Sequence, residues 1–139
     1  MSTSSMIAQD LGNGTVRAIY CHWDGYREET GRILQDHYTS AGKVAALMDL
    51  GSLSTLQREI GQKHDFDQAQ KEYPDWCLAY HQDRGERMEQ PMNLPIAKAV
   101  RLLHMARRRW GVQFVYLFQN GAWSCAEFQG GAWGDFTAL

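Results

Sequence analysis

The sequence predicts an α+β fold: an antiparallel or mixed sheet of about five strands, from hairpins at both chain ends and a central strand, with helices mainly on one face. Three observations carry this expectation. Apolar, β-branched runs flank Gly12-Asn13-Gly14 near the start. Similar runs flank Asn120-Gly121 near the end, and the segment leading to Trp110 repeats apolar residues at helical spacing. The 139 residues are 44% hydrophobic, enough to build one core and too few for two, so residues 1–139 are read as a single domain.

The elements follow in order. SMIAQDL and TVRAIYC read as a hairpin, because glycine and asparagine tolerate the positive φ that tight turns demand. Asp24 is placed to cap a helix from about Tyr26 to Tyr38 that presents Ile33, Leu34 and Tyr38, with Gly31 as its weak point. A second helix follows Thr39-Ser40, its apolar face made of Val44, Leu47 and Met48 and its stop at Gly51. Leu53, Leu56 and Ile60 suggest a further helical turn. Residues 61–75 are polar and read as a loop, WCLAYHQ as a third strand, and the stretch after it as a second loop. A helix from about Pro95 to Trp110 aligns Ile96, Ala99, Val100, Leu103, Ala106 and Trp110. VQFVYLFQ and AWSCAEF close the chain as a hairpin, followed by a glycine-rich tail whose Trp133 and Phe136 can dock on the body.

Composition narrows the function. A net charge of -2 provides no global attraction to nucleic acid or to an anionic membrane. No apolar run approaches the roughly 20 residues that span a bilayer, and the start has neither a basic region nor an apolar signal core, so a cytoplasmic protein is expected. Cys21, Cys77 and Cys125 are odd in number and lack CxxC spacing; they read as reduced, buried thiols.

Two segments invite a chemical reading. His22-Trp23-Asp24 and His81-Gln82-Asp83 are both His-x-Asp at the exit of an expected strand. Residues two apart on a strand face the same side, so each motif offers an imidazole and a carboxylate together. Convergence of His22, Asp24, His81 and Asp83 would suit a divalent metal or general acid-base catalysis. Equally, both aspartates suit turns or caps and both histidines suit strand ends. No P-loop, GxGxxG, HExxH or GxSxG is present, and no cofactor is expected, with a divalent metal the less favoured option. Arg107-Arg108-Arg109, with Arg101 and His104, make one helix end basic; this complements the helix dipole or offers a local nucleic-acid patch. Five tryptophans exceed what so small a core can bury, which directs some of them to a groove or interface.

These residues also carry a resemblance. The pieces Ala18 to Tyr26, Gly31 to Tyr38, Lys43 to Leu56, Ala79 to Glu86 and Tyr116 to Trp123 include IYCHWDGY and YHQDRGE. Together they resemble a family of small uncharacterised proteins from tailed phages and prophages. Family members often carry proline where this chain has Arg27 and arginine where it has Ser4. The resemblance implies a phage or prophage origin and the cytoplasm of the host cell, and it supplies no catalytic residues.

The function expected first is a binding protein without catalysis of its own, which acts on a host protein such as a CRISPR or restriction defence component or a host-takeover target. Trp23, Tyr26, Arg84, Arg107 and Arg108 are its expected contact residues. The alternative is a small metal-dependent or acid-base hydrolase of a nucleotide or nucleic acid, working through the two His-x-Asp motifs. Nucleic-acid binding through the arginine patch is the weaker reading, no membrane partner is expected, and homodimerisation stays open.

Overall fold

The structure, a computed structural model, describes residues 3–88, 92–95 and 99–139. Its centre is a strand buried on both sides. β1 (Ser5–Asp10) pairs antiparallel with β2 (Thr15–Cys21) across the glycine turn, and parallel with β6 (Phe114–Gln119). Alternation then divides the core. Ile7, Ile19 and Cys21 face one side, against Leu34 of α1 (Arg32–His37) and Val44, Leu47 and Met48 of α2 (Ala41–Asp49). Met6, Ala8, Val16 and Ala18 face the other, against Leu102, Leu103 and Ala106 of α5 (Ala99–Trp110).

The remaining elements are short. They are β3 (Leu53–Thr55), α3 (Ala69–Glu72), β4 (Leu78–Ala79), α4 (Tyr80–Arg84), β5 (Met92–Pro95), β7 (Ala122–Gln129), β8 (Ala132–Trp133) and β9 (Thr137–Ala138). The sheet runs β4-β3-β2-β1-β6-β7-β8, with β5 beside β2 and β9 beside β7. The outer edge of β2 is shared: β5 takes Thr15 to Ala18, and β3 takes Cys21.

This corrects the expected α+β fold of about five strands with helices mainly on one face. The sheet has nine strands among the described residues and dominates the fold, and helices lie on both faces. Strands of two to four residues are too short to show periodicity, and they form because an existing edge offers unpaired backbone groups. Three local corrections have similar causes. Leu53 to Ile60 holds β3 in place of the expected helical turn, since the Leu53 carbonyl accepts from His22 N–H. The expected strand WCLAYHQ is β4 followed at once by α4. On α5 the buried stripe runs through Leu102, Leu103 and Ala106, whereas Val100 is 66% exposed; Ile96 lies outside the described residues.

The second expected helix is present as α2, and the tail docks as expected. Ser40 caps α2, its side chain accepting from Lys43 N–H at 3.2 Å. Trp133 and Phe136 of the tail pack on the α5-side core. Among the described residues, no helix is long and apolar enough to cross a membrane.

Candidate functional site

The stretch after Cys21 forms a locked corner. His22 and Trp23 extend β2 by donating to the carbonyls of Leu53 and Ser54 at 3.0 and 3.1 Å. The chain then turns at Asp24, whose φ of 57° an aspartate tolerates better than most residues. Gly25 donates to the Thr3 carbonyl at 2.8 Å and accepts from the buried Tyr116 hydroxyl at 2.6 Å. A Cβ at Gly25 would lie 3.0 Å from that carbonyl oxygen, so glycine is the residue that permits the approach. The expected side-chain cap by Asp24 is not made. Instead its backbone carbonyl accepts from Thr30, through the amide at 3.2 Å and the hydroxyl at 2.8 Å, and the first helical turn (Arg27–Gly31) is a π turn. On this scaffold Trp23 and Tyr26 stand 44% and 43% exposed.

The two His-x-Asp motifs have different fates. His22 shares a 2.8 Å hydrogen bond between Nδ1 and the Tyr20 hydroxyl, and Asp24 is exposed. His81 and Asp83 sit on α4, where residues two apart point roughly 200° apart around the axis. This corrects the expectation that they face one side. His81 is exposed and donates from Nδ1 to the Glu86 carbonyl at 2.7 Å. Asp83 is buried, accepting from the amides of Ala79 at 2.9 Å and His64 at 3.1 Å, with the Gln82 side chain at 3.3 Å. Among the described residues no group of three or more His, Cys, Asp or Glu side chains is placed to hold a metal ion.

Sequence reasoning passed over His64, the companion of Asp83. Its Nδ1 faces two oxygens, the Gln62 carbonyl at 2.7 Å and the Asp83 carboxylate at 3.4 Å, so that nitrogen carries the proton. Its ring packs edge-on to Tyr73 and Trp76, each at 5.4 Å between centroids. No local motif announces this pair, because the partners lie 19 residues apart.

Behind the corner, the free thiols of Cys21, Cys77 and Cys125 are buried. Burial pushes Cys21 up to about 12 and raises Cys77. Cys125 is pushed up to about 11 by burial, against the pull of Arg27. A protonated thiol is a poor nucleophile, so native protein is expected to resist alkylation at pH 8, with all three sites reacting after denaturation, as read by mass spectrometry. Stability carries the same sign. Unfolded thiols ionise near pH 8.5 while the folded ones hold their protons. The thiol contribution to the unfolding free energy should therefore be constant below that pH and fall as pH rises above about 9, by up to about 1.4 kcal/mol per pH unit for Cys21 alone, seen as a lower urea midpoint.

Beside the corner, a pocket of about 410 Å³ lies between Trp23 and the segment carrying Phe66, Tyr73 and Trp76. Asp24 and Asp67 line it, and none of its described lining residues is basic. A second depression of about 590 Å³ lies beside Tyr20 and Trp110, whose rings stack at 5.9 Å. Trp23, Trp76 and Trp110 thus line grooves, while Trp123 is buried and donates to the Tyr38 carbonyl at 2.8 Å. No family model, curated protein or solved structure matches the chain.

The arginines divide as well. Arg107 donates to the carbonyls of Gly111 and Val112 at 3.1 and 3.3 Å and lies over the Phe128 ring, which closes the C-terminus of α5. Arg101 and Arg108 are exposed, and Arg109 lies over Trp110 at 4.4 Å. Arg84 is paired with Glu86 and lies over the rings of Phe66 and Tyr80 at 4.6 and 4.8 Å.

Proposed function

We propose that this is a phage- or prophage-derived accessory protein that binds a host protein, a defence component of the CRISPR or restriction kind or a host-takeover target, without catalysis of its own. The observation that carries this reading is the pair Trp23 and Tyr26, two large aromatic side chains held out to solvent on a corner locked by Gly25, Asp24 and Thr30. Aromatic anchors dominate protein interfaces, and a rigid mount reduces the ordering cost of binding. Origin rests on the IYCHWDGY and YHQDRGE pieces. The engagement of Asp83 with backbone amides favours binding over the hydrolytic alternative, which needs that carboxylate free for substrate or metal.

The test uses tagged protein in lysate of a phage host. A host protein should co-elute at one-to-one stoichiometry by size exclusion, and Trp23→Ala with Tyr26→Ala should weaken that complex by at least about tenfold, a modest loss for two interface aromatics. The double variant should still unfold in one cooperative urea transition, at a somewhat lower midpoint and an unchanged slope, because each ring is about half buried. If no host protein co-elutes stoichiometrically, or the double variant binds as the parent does, the reading fails.

A further inference from the structure

We infer that the pocket between Trp23 and the 66–76 segment receives an arginine side chain of the partner protein. This deepens the binding function proposed above and rests on it. The pocket joins aromatic residues to acidic ones: Trp23, Phe66, Tyr73 and Trp76 line it together with Asp24 and Asp67. An anionic or nucleotide ligand would meet repulsion from both aspartates. A cation meets ring quadrupoles and carboxylates together, each of which favours it.

Among the described residues, neither Asp24 nor Asp67 makes a salt bridge. Arg58 is committed to Asp75 at 2.8 Å, and Arg84 is paired with Glu86. Arg84 also displays the required contact within this molecule, since its guanidinium already lies over the Phe66 ring at 4.6 Å. The aromatic walls are packed against one another. Tyr73 and Trp76 stack at 4.2 Å with 13° between planes, and the buried His64 supports both from behind. Arginine fits better than lysine because its planar group stacks on indole and phenol faces while its edge donates to carboxylates. The volume of about 410 Å³ admits one long side chain with its adjoining backbone.

The experiment titrates the full chain with acetyl-Gly-Arg-Gly-amide and follows the indole N–H signals of Trp23 and Trp76 by NMR, assigned through Trp23→Phe and Trp76→Phe. Saturable shifts of both signals are expected. The peptide with citrulline in place of arginine, equal in shape and uncharged, should bind about tenfold more weakly or less, and Asp24→Asn with Asp67→Asn should cost about tenfold for the arginine peptide. Both substitutions keep the side-chain shape, and asparagine also tolerates the positive φ of Asp24. Equal binding of the citrulline peptide, no effect of the asparagine pair, or matching shifts from a short phosphodiester oligonucleotide overturns the inference. The two proposals fail separately. A host complex that survives Asp24→Asn with Asp67→Asn but not Trp23→Ala with Tyr26→Ala removes only the arginine pocket. Saturable arginine-peptide binding with no host complex removes only the proposed function.

Discussion

Asp83→Ala is expected to destabilise the protein by about 3–5 kcal/mol, seen as a lower urea midpoint at unchanged slope. Asp83 is 8% exposed, and its two oxygens accept the amide N–H groups of His64 and Ala79. Alanine strands both buried donors, and hydrogen bonds to a charged acceptor are the costly ones to lose. The imidazole of His64 loses a carboxylate neighbour at the same time. Asp83→Asn should fall between, because an amide can accept through its oxygen but turns donors toward the second site. His81→Ala, at the exposed position of the same motif, should cost less than about 1 kcal/mol. This contrast separates an anchor from a catalytic pair. A stable Asp83→Ala protein would remove the anchoring role.

Gly61→Ala is expected to cost about 2–5 kcal/mol, for two reasons that add. Gly61 has φ of +70°, where alanine is strained by about 1–3 kcal/mol. A Cβ there would also fall 2.4 Å from Cγ of Trp76 and 2.7 Å from its Cβ, so the indole must move, and it stands in a stack with Tyr73 against His64. Gly85→Ala supplies the control. Its φ is +72°, but nothing lies within 4 Å of the added carbon, so it carries the conformational cost alone. Excess destabilisation in Gly61→Ala, with an altered Trp76 indole signal, measures the clash. Equal losses in both variants would show that Trp76 is not fixed against Gly61.

The contrast between motif and role recurs along the chain. His22-Trp23-Asp24-Gly25 is readable as a corner from its residue types, and the structure uses it as one, but the work falls on different groups. Gly25 and the carbonyl of Asp24 lock it, and Trp23 rather than His22 lines the pocket. The second motif misleads because helix and strand periods place a two-residue spacing on opposite sides or on one side. The Asp83 carboxylate reaches back to the Ala79 amide, where α4 begins.

By itself the sequence determined what depends on neighbours along the chain. The β1–β2 and β6–β7 hairpins follow from their turn residues, α2 from its apolar face, and the buried state of the three cysteines from their apolar surroundings. Tertiary structure decided what depends on distant partners. The parallel pairing of β1 with β6 joins segments about a hundred residues apart and buries β1 on both faces, which sends α1 and α2 to one side and α5 to the other. The short strands β3, β4, β5, β8 and β9 exist because that sheet offers edges. The aromatic pocket exists because the 66–76 segment returns to Trp23. Turn and cap preferences are written in a few consecutive side chains. Edge pairing and pocket walls are set by which backbone groups and ring faces remain unsatisfied once the core has closed.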